Sequence, residues 1–306
     1  MRDVDRFLDL PPSDPAWGHG LCSDRQGNRV HYVRCGGGMP VVLLHGWPGL
    51  WYDYRRIIPT LGAEADVVAP DLRGFGASDS PALAPEAGYG RQAQAEVVLD
   101  LLDALRLDGV VLAGYDVGSA IAQAVARAAP ARVRGLVLGA PLHPGSGARA
   151  LRPEHQHEFW YQDFHRLPLA VDLVGRDRAS VEAYLGHFYR HWVGRHDSVR
   201  PPEFDAIVDV YAAPGALDVS LNWYRSGAGT LETARRAMAA PVPAPPPLPH
   251  RAEVLWGERD ALFPPAWAEG LESTLSHHRL RVLPGVGHFI PFEAPEAMTE
   301  SIRALL

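Results

Sequence analysis

Hydrophobic positions along the chain fall into two alternating periods, and the alternation predicts a layered fold. Short continuous apolar runs occur at Pro40–Leu44, Ala65–Pro70, Val110–Ala113, Val133–Leu138 and Ala252–Gly257. Runs of this length, rich in Val and Leu and ending in Gly, Pro or charged residues, read as strands buried on both faces of a parallel sheet. Helical spacing lies between them, over Trp51–Leu61, Tyr89–Leu105 and the Ala-rich stretch that follows Val117. Upstream, Leu21–Gly27 and Asn28–Cys35 read as two strands about a Gly-Asn turn, the second alternating through Val30 and Tyr32, and predict an antiparallel edge. Downstream, the pattern predicts a helix near Trp267–Leu275, a strand Arg279–Leu283 and a last helix Pro295–Leu306. Strands and helices in this order argue for an α/β fold whose functional groups gather at the carboxyl ends of the strands.

The pattern breaks at Leu142, and no buried strand run appears until Ala252. Aromatic, His and Arg residues take over in helical spacing, as in Phe159–His165, Ser180–Trp192 and Leu221–Arg225. This stretch reads as an inserted helical domain. Its end, Pro241–Pro249, is proline-dense and predicts a stiff connector leading back to the next strand. The expected division is a first core segment 1–142, a helical cap with its return linker 143–249, and a second core segment 250–306. Leu10–His19 is Pro-rich and receives no assignment.

Composition removes several classes of function. The 306 residues are 47% hydrophobic and 21% charged, as expected of a globular chain. A net charge of −7, with no basic block, argues against a nucleic-acid partner. All basic residues are Arg, since the chain has no Lys. Cys22 and Cys35 lack ligand spacing and are expected to be thiols, with no metal site. No apolar run reaches membrane-spanning length and Met1–Asp9 has no apolar signal core, so a cytoplasmic location is expected.

Candidate chemistry sits just after the buried strands. In Gly114-Tyr115-Asp116-Val117-Gly118, an Asp occupies the apex of a G-x-D-x-G turn between a strand and a helix. The related G-x-S-x-G turn lifts its nucleophile above a sheet. A carboxylate there needs no base to activate it and can attack a saturated carbon directly. Asp260 and His288 follow later strands, giving the chain order nucleophile, acid, histidine.

Taken together, His45-Gly46-Trp47-Pro48, Asp71-Leu72-Arg73-Gly74-Phe75-Gly76-Ala77-Ser78, the Asp116 turn, Trp256-Gly257-Glu258-Arg259-Asp260 and Gly287-His288-Phe289 resemble the α/β-hydrolase-fold epoxide hydrolases of the Asp-nucleophile branch. The resemblance covers nearly the whole chain. It implies a mostly parallel sheet flanked by helices, with an inserted helical cap. It further implies that Asp116 attacks an epoxide carbon, and that Tyr161 and Tyr224 of the cap donate to the epoxide oxygen. His288, oriented by Asp260, would then activate the water that hydrolyses the ester. Backbone N–H groups of Trp47 and Val117 would hold the oxyanion, each such donor being worth about 3 kcal/mol. Tyr52, Tyr54, Tyr115, Tyr184, Tyr189 and Tyr211 lie in weaker contexts, and a cap His such as His157 or His187 could replace one of the pair.

The implied substrate is a small apolar epoxide, in a pocket formed with His45, Phe159, Trp160, Phe164 and Trp223. No metal or organic cofactor is implied, and a homodimer is left open. Alternative readings are a haloalkane or haloacid dehalogenase using the same Asp, or a non-catalytic ligand-binding protein of the same fold. Against the first, dehalogenases resembling this chain place a halide-binding Trp after the nucleophile, where Val117 stands. Against a haloacid dehalogenase, fluoroacetate dehalogenases carry Arg one and four positions beyond the nucleophile, where Val117 and Ile121 stand.

Overall fold

A computed structural model describes residue 14 and residues 17–241 and 243–306. Met1–Asp9 and most of Leu10–His19 lie outside the described residues. The apolar runs assemble into one sheet of eight strands: β1 (Gly18–Ser23), β2 (Arg29–Gly36), β3 (Pro40–Leu44), β4 (Asp66–Pro70), β5 (Val110–Tyr115), β6 (Val133–Gly139), β7 (Leu248–Gly257) and β8 (Leu275–Leu283). Their spatial order is β1-β2-β4-β3-β5-β6-β7-β8. β1 and β2 form the expected antiparallel edge, and β3 to β8 run parallel. β5 lies at the centre with all six residues buried, and the helix Val117–Ala128 packs against it.

Several boundaries differ from the sequence reading for identifiable reasons. β1 ends at Ser23 because the Asp24 carboxylate accepts the N–H groups of Gln26 and Asn28, at 2.9 and 2.8 Å, and closes the turn early. The helix expected over Trp51–Leu61 is broken into a 3-10 turn, Trp51–Tyr54, and a short helix, Ile58–Gly62. Pro59 has no N–H to continue a helix through that point. No helix forms over Trp267–Leu275; 3-10 turns Pro265–Ala268 and Leu271–Ser273 are separated by Gly270 at φ 98°, and β8 already begins at Leu275. β7 likewise starts at Leu248, inside the stretch expected to be a linker, where Leu248 pairs with Leu275. Cys22 and Cys35 are free thiols.

Between β6 and β7 the chain is helical, from Pro144–Ala150 to Thr230–Ala239. These helices sit over the carboxyl ends of the strands, and one buried ion pair ties them to the sheet layer. Arg55 is fully enclosed, with its guanidinium 2.7 Å from Glu203 of the helix Pro201–Tyr211 and 4.7 Å from the ring centres of Tyr52 and Phe292. Arg56 reaches the same carboxylate at 2.9 Å. Burial alone would raise the Glu203 carboxyl, but both guanidiniums and the Arg200 N–H outweigh it and hold the group down at about 2.

Glu203→Ala should strand the Arg55 charge inside the protein and cost about 3 kcal/mol in urea denaturation at neutral pH. Because the folded-state value is depressed, wild type keeps this contribution above the ordinary value of 4.5 and loses it as pH falls toward 2. The gap between wild type and variant should therefore narrow over that range. Equal denaturation midpoints at neutral pH would show that the pair does not hold the cap.

Candidate active site

Asp116 stands between β5 and the helix Val117–Ala128, with φ 51° and ψ −123°. A positive φ in a residue other than Gly costs on the order of 1–3 kcal/mol, so the surrounding packing must enforce it. Gly118 allows the enforcement: a Cβ there would strike the carbonyl oxygens of Leu44 and His45. Gly46 does the same from the other side, where a Cβ would meet the Asp116 side chain and the Tyr115 ring. The two turns therefore come close enough for the Trp47 N–H to donate to Asp116 Oδ1 at 2.8 Å.

Asp260 and His288 arrive beside this carboxylate from the loops after β7 and β8. His288 Nδ1 lies 3.0 Å from Asp260 Oδ2, and Nε2 lies 3.4 Å from Asp116 Oδ2. The other oxygen of Asp260 accepts the N–H groups of Leu262 and Phe263, both at 2.9 Å, which fixes the carboxylate. The His288 backbone N–H donates to the Trp192 carbonyl of the cap at 2.8 Å. Burial alone would lower the imidazole, but Asp260 and Asp116 more than offset it and raise His288 to about 10. The ring is held as a cation while both carboxylates are charged.

The cap closes the site with phenols. Tyr161 and Tyr224 are both buried, with ring centroids 5.6 Å apart and planes nearly perpendicular. Gln162 Nε2 donates to the Tyr161 hydroxyl, at 3.1 Å, while its Oε1 accepts the Leu231 N–H at 3.0 Å. Because Gln162 donates to the Tyr161 oxygen, the Tyr161 proton is left for an acceptor in the cavity. Burial pushes both phenols well above their ordinary range, so they remain proton donors at any working pH. The Tyr161 ring stacks on the Trp47 indole, centroids 5.8 Å apart and planes at 6°, which couples the cap to the His-Gly-Trp-Pro turn.

Asp116, Val117, Tyr161, Tyr224, Trp223 and Phe263 line one narrow cavity with about 30 Å³ of free space. Of the five residues expected along the pocket, Trp223 lines it and the others do not. His45 is fully buried beneath the turn, where Nε2 accepts the Leu72 N–H at 3.0 Å and Nδ1 lies 2.8 Å from the Gly46 carbonyl; it shapes the turn that presents Trp47. Phe159 packs on Phe263 and Trp267, behind the wall. Trp160 is 45% exposed on the outer face of the cap, and Phe164 packs beside it and Tyr184. His157 and His187 are exposed, so neither replaces a tyrosine.

Sequence reasoning did not single out Gln162, Trp192 or Arg91. Gln162 follows Tyr161 and was visible as part of that motif, but its clamp on the hydroxyl depends on a helix turn. Arg91, at the start of the helix Arg91–Leu105, lines the same cavity. An Arg at a helix start is ordinarily solvated, and nothing in the pattern marks this one as enclosed. Among the described residues, no group of three or more His, Cys, Asp or Glu could hold a metal ion, and no helix is long and apolar enough to cross a membrane.

The profile of the alpha/beta hydrolase fold family matches residues 39–295. The soluble epoxide hydrolase of a Corynebacterium species is 29% identical over 292 residues, covering 90% of this chain and 92% of that protein. Haloalkane dehalogenase 2 of Mycobacterium tuberculosis is also 29% identical, over 282 residues, covering 91% and 92%. Among solved structures, the epoxide hydrolase CorEH without ligand superimposes with a TM-score of 0.75 at 26% identity, covering 94% of this chain and 98% of that one. With the profile spanning both sheet segments and the helices between them, the chain belongs to the alpha/beta hydrolase fold family.

Proposed function

We propose that the protein hydrolyses epoxides to vicinal diols through a covalent ester on Asp116. The observation that carries this reading is the pair of buried phenols, Tyr161 and Tyr224, facing the same cavity as a carboxylate on a strained turn. An opening epoxide ring develops negative charge on oxygen, and two weakly acidic hydroxyls in a closed site can stabilise it without losing their protons beforehand.

The steps follow from which atoms are already engaged. Oδ1 of Asp116 is held by the Trp47 N–H, so Oδ2 is the attacking atom. Attack on an epoxide carbon forms the C–O ester bond, breaks the ring C–O bond, and places the alkoxide at the phenols, from which it takes a proton. Esterification removes the Asp116 charge and with it part of what raises His288. The imidazole then gives up its proton more readily, that proton restores the phenolate through solvent, and the neutral ring can accept a proton from water. That water attacks the ester carbonyl carbon, and the oxyanion forms on Oδ1 against the N–H groups of Trp47 and Val117. Collapse breaks the C–O bond to the substrate, whose departing oxygen takes the proton of the new Asp116 carboxyl group, so the diol leaves and the carboxylate is restored. Asp260 keeps Nδ1 protonated and Nε2 facing the reaction throughout.

Similarity to a haloalkane dehalogenase keeps a second reading in view, since that reaction also uses an aspartyl ester. Here Val117 supplies no ring N–H next to the nucleophile, and the Trp47 indole N–H faces Ser220 Oγ at 3.3 Å. A departing halide would meet the two phenols, which suit a basic alkoxide better than a weakly basic halide.

His288→Gln should permit ring opening and block hydrolysis, so intact-protein mass spectrometry should find one substrate-sized adduct, on the peptide containing Asp116. Turnover by wild type with no adduct on the variant for any epoxide would exclude the ester route. Tyr161→Phe and Tyr224→Phe should each slow adduct formation by roughly 10- to 100-fold, and together nearly abolish it. An unchanged adduct rate in the double variant would remove the phenols from the mechanism, and faster conversion of haloalkanes than of epoxides would favour the dehalogenase reading.

A further inference from the structure

Arg91 is the group in the site that the proposed chemistry leaves unused. Its Nε is buried without a hydrogen-bond partner, and no ion pair engages its guanidinium among the described residues. The side chain lines the narrow cavity that holds Asp116 and also a wider cleft leading outward between cap and core. Ala120, Leu142 and Thr230 line both spaces as well, so the two lie side by side and share a wall. Among the described residues, Asp116 is the single acidic residue in either lining, although the chain as a whole is acidic. The outer cleft adds a second guanidinium, Arg127, whose Nη1 donates to the Pro246 carbonyl at 2.7 Å.

Folding alone gives no reason for a cation at this place. A half-buried guanidinium with an enclosed, unpartnered Nε costs free energy. The cost is increased by its position, the first residue of a fifteen-residue helix, where the helix dipole repels positive charge. Gly90 caps this helix with no side-chain hydrogen bond and the first turn has no acidic residue, so the helix end also lacks an anion. One anionic ligand group would complement both the guanidinium and the free N–H groups.

We propose that Arg91 binds a carboxylate at the end of the substrate remote from the epoxide, which makes epoxides bearing a carboxylate the preferred substrate class. This rests on the epoxide reading of Asp116 and replaces the small, wholly apolar substrate expected from the sequence. The apolar part of such a molecule lies along Ala120, Leu142 and Trp223, which line the cavity together with Asp116 and Arg91. A carboxylate suits the site because a single guanidinium neutralises a single charge. The two arginines of the cleft, with no carboxylate to oppose them, draw such an anion inward.

The test uses the full-length protein and a series of terminal epoxides of increasing chain length, each ending in a carboxylate or in its methyl ester. Wild type should favour the acid over the ester by roughly 10- to 100-fold in kcat/KM at the best chain length, the range expected of one charge-assisted contact. Arg91→Gln should bring the acid-to-ester ratio close to unity, mainly through KM, and Arg91→Lys should restore part of it. Thermal unfolding of Arg91→Met should occur at or above the wild-type temperature, because the unpaired charge is gone. A wild-type ratio near unity, a ratio that survives Arg91→Gln, or a clear loss of thermal stability in Arg91→Met would each overturn the proposal. Conversion of the esters separates the two readings: esters hydrolysed with no preference for acids would leave the epoxide reading intact and remove the carboxylate site. Conversion of neither series would overturn both.

Discussion

The site depends on a backbone held where it would not go by itself. Asp116 adopts φ 51° because β3, β5 and the helix after Asp116 pack closely, with Gly46 and Gly118 at the points of contact. The strain is on the order of 1–3 kcal/mol, small against the buried Val and Leu side chains of the central strands, each worth about 1.5–3 kcal/mol. In return the carboxylate stands clear of the sheet, with one oxygen on the Trp47 N–H and the other toward His288. The fold sets this geometry before any ligand arrives, so little reorganisation is left for the reaction.

Electrostatics then separate the two halves of the proposed cycle. A cationic His288 between two carboxylates is stable while Asp116 is free, and it is a poor base in that state. Neutralising Asp116 by ester formation turns the same imidazole into a base. The phenols complement this arrangement from the opposite wall: burial keeps Tyr161 and Tyr224 protonated, and Gln162 directs the Tyr161 hydroxyl. Arg91 is the remaining charge of the cavity, and its complement is assigned to the substrate.

The sheet was readable from apolar runs because a strand buried on both faces leaves a continuous hydrophobic signature, as in Val110–Ala113 and Val133–Leu138. Boundaries were less readable where a single side chain decides them: Asp24 closes a turn, Pro59 breaks a helix, and Gly270 prevents one. The triad's chain order was legible, and the structure brings Asp116, Asp260 and His288 within hydrogen-bonding reach of one another in sequence. The cavity wall was not. Phe159, Trp160 and Phe164 lie within six residues, yet Phe159 packs behind the cavity wall while Trp160 and Phe164 sit together away from it, and composition does not tell which face of a short helix meets a ligand. Arg91 was invisible for the opposite reason, since its enclosure comes from the cap helices laid over it and leaves no local trace.

The proposed covalent route is tested most directly by one turnover in oxygen-18 water, with the protein in excess over an epoxide. If water attacks the ester carbonyl, the first diol released takes its new oxygen from Asp116 and carries no label, while the peptide containing Asp116 gains one labelled oxygen. Label in the first diol, with none in Asp116, would mean that water opens the ring directly and that Asp116 is not the nucleophile.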